Sequence, residues 1–135
     1  MASYIPPQSV FLYKSNWTAE IDEVMLRNII KMKKAAKWNG VVIPPEFIRE
    51  VIDVINVEVG MLFSWDDVYG RWLFFERRYR SFTEVLAVFG IHWNVNTNVI
   101  TCPESAWKDI LKENKLAGAY YYIADPQQSG YHLWR

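Results

Sequence analysis

Apolar and polar positions recur with a helical period along most of the chain. The strongest stretch carries large apolar residues at Trp65, Val68, Trp72, Phe75, Tyr79, Phe82 and Leu86. Steps alternating between three and four place them on one stripe of an α-helix, where a strand would need steps of two. The pattern predicts a helix over Trp65–Leu86, aromatic on one side and arginine-bearing on the other, with Trp72 and Tyr79 buried. Ser64 precedes the stripe and Asp67 follows three residues later, a hydroxyl and a carboxylate suited to free amides at a helix start. Gly90 is expected to close the helix. Gly90-Ile91-His92-Trp93 is then a turn that wedges Trp93 against it.

Shorter elements surround this helix. Thr18 opens an earlier one, with Glu20, Asp22 and Glu23 near its start and Lys31, Lys33, Lys34 and Lys37 near its end, the polarity the helix dipole favours. Ile21, Met25 and Ile29 form its apolar face, and Asn39-Gly40 is expected to stop it. Pro44-Pro45 starts a second helix, with Ile48, Val51, Ile52 and Ile55 inward. The β-branched run through Val59 also fits a strand, and Gly60 ends either. HWNVNTNVIT reads as a small hairpin or flap. Thr101 and Glu104 suggest a capping box for a short fourth helix carrying Trp107, Ile110 and Leu111. AYYYIA is a strand or a buried extended arm, followed by a turn from Asp125-Pro126 to Gly130. The expected fold is mostly α: a three-helix bundle with a long third helix, a hairpin or flap and a short fourth helix. The expected organisation is an extended lead-in over 1–15, a domain over 16–112 and a C-terminal arm over 113–135 that packs on it.

Composition narrows the function. The 135 residues carry 51% hydrophobic and 16% aromatic residues, enough for one domain with a core built from rings. Fifteen basic residues balance fifteen acidic ones. That neutrality argues against strong, indiscriminate binding of nucleic acid while leaving room for a local basic face. A single cysteine excludes an internal disulfide and fits a reducing compartment. The start, MASYIPPQSVFLY, does not read as a signal peptide, and no apolar run reaches the ~18 residues of a membrane span. His92, His132 and Cys102 are too few and too scattered for a zinc site. No phosphate-binding, dinucleotide or nucleophile-elbow motif occurs. The chain is therefore expected to be no enzyme and to use neither metal nor cofactor.

Several residues together resemble a known family. Trp17-Thr18 heads the first helix, and Val68, Arg71-Trp72, Phe75, Tyr79 and Phe82 lie in the third. Gly90-Ile91-His92-Trp93-Asn94, Val99, Thr101 and Trp107 follow. In order and spacing this resembles the plant Myb/SANT-like domain, related to trihelix and transposon-derived Myb-like proteins, over roughly residues 16 to 112. The chain departs from that pattern at Tyr69-Gly70 and Leu73-Phe74, at Ile48 where the family has tryptophan, and in reading G-I-H-W-N for G-F-G-W-D. The resemblance implies a helix-turn-helix module in the nucleus that regulates transcription by binding double-stranded DNA, chromatin-associated proteins, or both.

It also implies that the family's basic positions fall on Arg71, Arg77 and Arg78, which would contact phosphates or guanine edges. Lys33 and Lys34 are further candidates for the DNA backbone. The alternative is a solvated face, with Glu76 paired to Arg80 and Arg80 to Glu84. Trp72-Leu73-Phe74-Phe75 cannot all face one core, because successive residues turn about 100° around a helix. Leu73 or Phe74 points outward, covered by the hairpin or tail or offered to a partner. The rival function is thus a protein-interaction module that keeps the fold and has lost DNA binding, its partner a second copy or a transcription-associated protein.

Overall fold

The computed structural model describes residues 5–88 and 91–134. In chain order it contains helices α1 (Gln8–Leu12), α2 (Ala19–Ala36), α3 (Pro45–Val59) and α4 (Trp65–Leu86). Strands β1 (His92–Asn94) and β2 (Val99–Thr101) and helix α5 (Glu104–Glu113) follow, then two 3-10 helices, Lys115–Tyr120 and Gln128–Trp134. The mostly helical class expected from periodicity is the one observed.

Local chemistry sets the helix ends. The Thr18 hydroxyl accepts the Ile21 N–H at 3.3 Å and starts α2. The helix stops at Ala36, earlier than Asn39-Gly40, because Lys37 turns left-handed and sends its N–H back to the Lys33 carbonyl. Pro45 sits in the first turn of α3, and Gly60 closes that helix at φ +74°. Phe47, Ile48, Val51 and Ile55 are buried while Val57 is 84% exposed, so helical spacing prevails over the β-branched alternation. Ser64 and Asp67 cap α4 reciprocally, the hydroxyl accepting from the Asp67 amide at 3.2 Å and the carboxylate from the Ser64 amide at 2.9 Å. The helix ends at Leu86, with Ala87 still in right-handed conformation. The expected stop at Gly90 lies outside the described residues.

α4 is the centre of the fold. α3 packs against both α2 and α4, and the two 3-10 helices pack on α4 from other sides. Val68, Trp72, Phe75, Phe82 and Val85 are buried. Trp65 lies at the surface, Leu86 is half-buried, and Tyr79, expected to be buried, is half-buried as well, so the buried stripe is narrower than the sequence suggests. Tyr79 still packs edge-on to Tyr131 and lies over Trp134.

β1 and β2 form an antiparallel hairpin, with Trp93 opposite Ile100. Ile100 enters the core, whereas Trp93 is 37% exposed and meets Phe82 only edge-on at 6.2 Å. Trp93 is therefore not the buried wedge expected: it shares a face with Ile100, its direct partner across the pair, but stays partly at the surface while Ile100 is covered. No capping box forms at Thr101, which belongs to β2 and donates its hydroxyl to the His92 carbonyl; α5 begins instead after Pro103.

AYYYIA is neither strand nor extended arm over its first residues. Ala117, Gly118, Ala119 and Tyr120 are buried within a 3-10 helix. The small size of Ala117, Gly118 and Ala119 admits α1: a Cβ on Gly118 would stand 2.5 Å from the Phe11 ring. Gln8 donates to the Ala119 and Ala124 carbonyls at 2.9 and 2.8 Å, joining the two ends of the chain. The last 3-10 helix brings Trp134 onto Trp72 at 4.7 Å between ring centres.

Candidate nucleic-acid interface

The arginines of α4 divide by their angle around the helix. Val68, Arg71, Phe75, Arg78, Phe82 and Val85 follow steps of three and four on the core face. Arg71 is 6% exposed and Arg78 not at all. Neither can reach a phosphate or a base edge, which corrects the assignment of both to DNA contact.

Each buried arginine is held by a buried carboxylate. Arg71 donates from Nε and Nη2 to the two oxygens of Asp22 at 2.7 and 2.6 Å, and from Nη2 to the Leu12 carbonyl at 2.8 Å. Such a two-pronged fit is the strong form of the pair. Asp22, expected as a solvated charge at a helix start, is fully buried, since it shares a face of α2 with Met25, Leu26 and Ile29. Arg78 donates from Nη2 to Asp125 at 2.7 Å, and its Nη1 stands 3.7 Å from Asp22. Burial pulls the Arg78 pKa down, but Asp125, the tyrosine oxygens and Asp22 outweigh it and hold the guanidinium charged.

Two tyrosines complete the cluster. The Tyr120 hydroxyl donates to Asp125 at 2.9 Å and lies 3.0 Å from the Tyr131 hydroxyl, which also donates to Asp125. Burial, then the Asp125 charge, push both phenols above their ordinary pKa. A group whose folded pKa is raised stabilises the fold below its unfolded pKa and loses that contribution as pH rises. Tyrosine ionises near about 10 in an unfolded chain, so the melting temperature is expected to fall as pH climbs beyond that value. Thermal melts of the parent and of the Tyr120→Phe/Tyr131→Phe double variant check this; the variant is expected to show a shallower alkaline decline.

The remaining candidates are at the surface. Asp66, Gly70, Leu73, Arg77, Arg80 and Glu84 form the exposed stripe of α4. Arg77 and Arg80 are its cations, and the pairs expected from Arg80 to Glu76 and Glu84 are absent from the ion pairs among the described residues. Lys34 is exposed and Lys33 half-buried near the end of α2. Lys33 and Arg80 line one pocket, of about 440 Å³, between the end of α2 and α4. Arg80, which carries no ion pair among the described residues, was visible in the sequence beside Arg77-Arg78, but equally as a partner of Glu76 and Glu84.

Of the apolar pair, Leu73 is 36% exposed. Phe74 is half-buried, its ring 4.8, 5.5 and 5.9 Å from the guanidinium carbons of Arg71, Arg77 and Arg78. The ring thus packs between the buried guanidinium groups of Arg71 and Arg78 and the exposed one of Arg77. Among the described residues no group of three or more His, Cys, Asp or Glu is placed to hold a metal ion, and no helix is long and apolar enough to cross a membrane.

A family model described as a Myb/SANT-like DNA-binding domain matches residues 16–110. No curated protein and no solved structure matches the chain.

Proposed function

Because the chain belongs to the Myb/SANT-like DNA-binding domain family, we propose that it is a nuclear regulatory module that binds double-stranded DNA through surface cations of α2 and α4. Lys33, Lys34, Arg77 and Arg80 make the phosphate contacts, and Arg71 and Arg78 serve the fold. The observation that carries this reading is the pocket that brings Lys33 of α2 and Arg80 of α4 to one surface. The chain's neutrality limits long-range attraction to DNA, so binding depends on these local contacts.

The test is a titration of duplex DNA over a range of salt. Four phosphate contacts give a log–log slope of about −3.6, at about −0.9 for each. A slope near zero contradicts the reading.

Leu73 favours a second reading, contact with a chromatin- or transcription-associated protein or a second copy. It is a large apolar side chain in the middle of the exposed stripe, next to Arg77. Leu73→Ser is expected to leave the melting temperature within about 3 °C, the equivalent of the half kilocalorie usual for surface substitutions, and to weaken association measured by sedimentation. Unchanged sedimentation with and without the substitution argues against this surface. The affiliation with the plant and trihelix branch of the family belongs to the same proposal and rests on the order of motifs in the sequence.

A further inference from the structure

The pocket between α2 and α4 has a lining that phosphate contact alone does not require. Trp38, from the segment after α2, and Tyr79 and Trp134 stand half-exposed around it, with the buried Trp72 as its floor. Trp134 lies over Trp72 at 4.7 Å and 30°, and over Tyr79 at 6.3 Å and 23°. Trp38 meets Trp72 at 6.3 Å, tilted by 52°. The Trp134 indole N–H is a buried donor without an acceptor among the described residues. Lys33 and Arg80 place two positive charges against the single carboxylate of Glu76.

From this lining we infer that the pocket takes one unpaired nucleotide, its base against the Trp38, Tyr79 and Trp134 rings and its phosphate between Lys33 and Arg80. Aromatic rings beside cations are what single-stranded nucleic acid needs, since every base has a face to stack and every nucleotide a charge. The size suits a small ligand. The charge chooses between occupants. An aromatic box with only a carboxylate would select a cation, whereas two cations against one carboxylate select an anion. Double-helical DNA, with its bases stacked inside, cannot present a base face to these rings, so the site reads a strand end, a gap or an extruded nucleotide. The inference rests on the nucleic-acid reading only through Lys33 and Arg80, and its test does not use duplex.

Thymidine 5′-monophosphate is titrated into the protein at millimolar concentration while the indole N–H signals are followed by 1H–15N NMR. The Trp38, Trp72 and Trp134 signals are expected to move and saturate together. Trp107, packed on Tyr121 beside α5, is expected to stay still. The exposed-site variant Arg80→Glu should weaken the nucleotide at least about tenfold, the loss of one charge-assisted contact, without changing the melting temperature. Thymidine lacking the phosphate should bind more weakly at the same signals. Static Trp38 and Trp134 signals overturn the inference. So does saturation by a lysine-bearing tripeptide in place of the nucleotide, which would make the pocket a cation cage. Nucleotide binding without duplex binding would sustain this site and reject the duplex proposal; duplex binding with static indole signals would do the reverse.

Discussion

Asp125→Ala is expected to destabilise the protein by about 3–5 kcal/mol, the cost of stranding a buried charge by removing its partner. The Arg78 and Asp125 side chains are fully buried and joined at 2.7 Å. Arg78 has little else to turn to. Its Nε and Nη1 have no hydrogen-bond partner among the described residues, and Asp22, 3.7 Å away, is already committed to Arg71. The substitution also deprives the Tyr120 and Tyr131 hydroxyls and the Gln127 amide of their acceptor. Urea unfolding measures the loss. The Arg78→Met/Asp125→Leu double variant is expected to recover only part of it, because it removes the stranded charge but leaves the Tyr120, Tyr131 and Gln127 donors without their acceptor. A single variant that unfolds like the parent contradicts the buried cluster. The same logic extends to the arms. The family match covers 16–110, whereas Asp125 and the Leu12 carbonyl that receives Arg71 lie outside it. A fragment of 16–110 is therefore expected to show no cooperative melting.

Trp72→Ala is expected to cost about 3–5 kcal/mol, the range for deleting a large buried ring. Trp72 is 2% exposed and packs against both Trp38 and Trp134. Its removal opens a cavity at the junction of α4, the segment after α2 and the C-terminal 3-10 helix, and the surrounding rings are too rigid to fill it. Urea unfolding of this variant is compared with that of Trp65→Ala. Trp65 stands at the surface and stacks on Tyr69, and its loss is expected to be within about 1 kcal/mol, as for most surface changes. Equal losses at both positions would show that the stripe does not face the core as described.

The same comparison shows what could be read from sequence. Three- and four-residue steps placed α4 and the apolar faces of α2 and α3, because burying a helix face needs that spacing whatever the partner. Ser64 and Asp67 were legible because a capping box is local. The buried arginines were not, although their numbers hold the clue. Arg71 and Arg78 fall in step with Val68, Phe75, Phe82 and Val85, and Asp22 with Met25 and Ile29. A charge on an apolar stripe points inward and needs a counter-charge. Half of that counter-charge, Asp125, comes from 47 residues beyond Arg78, which no local pattern reveals. Trp93 and the AYYYIA segment were misread for a related reason. Hairpin orientation and the 3-10 turn depend on Ile100 and on the fit of Gly118 under Phe11, contacts between parts far apart in the chain. Of the candidate site, Lys33, Lys34 and Arg77 were visible as charges, but the approach of Lys33 to Arg80 depends on how α2 crosses α4.

The division of the α4 arginines into inner and outer pairs is tested most directly by the salt dependence of duplex binding in the Arg77→Ala/Arg80→Ala variant. Two of four contacts are lost, so the slope is expected to fall from about −3.6 to about −1.8, with the melting temperature unchanged because neither side chain belongs to the buried cluster. A slope equal to the parent's would contradict the account, since it would place the DNA contacts elsewhere on the chain.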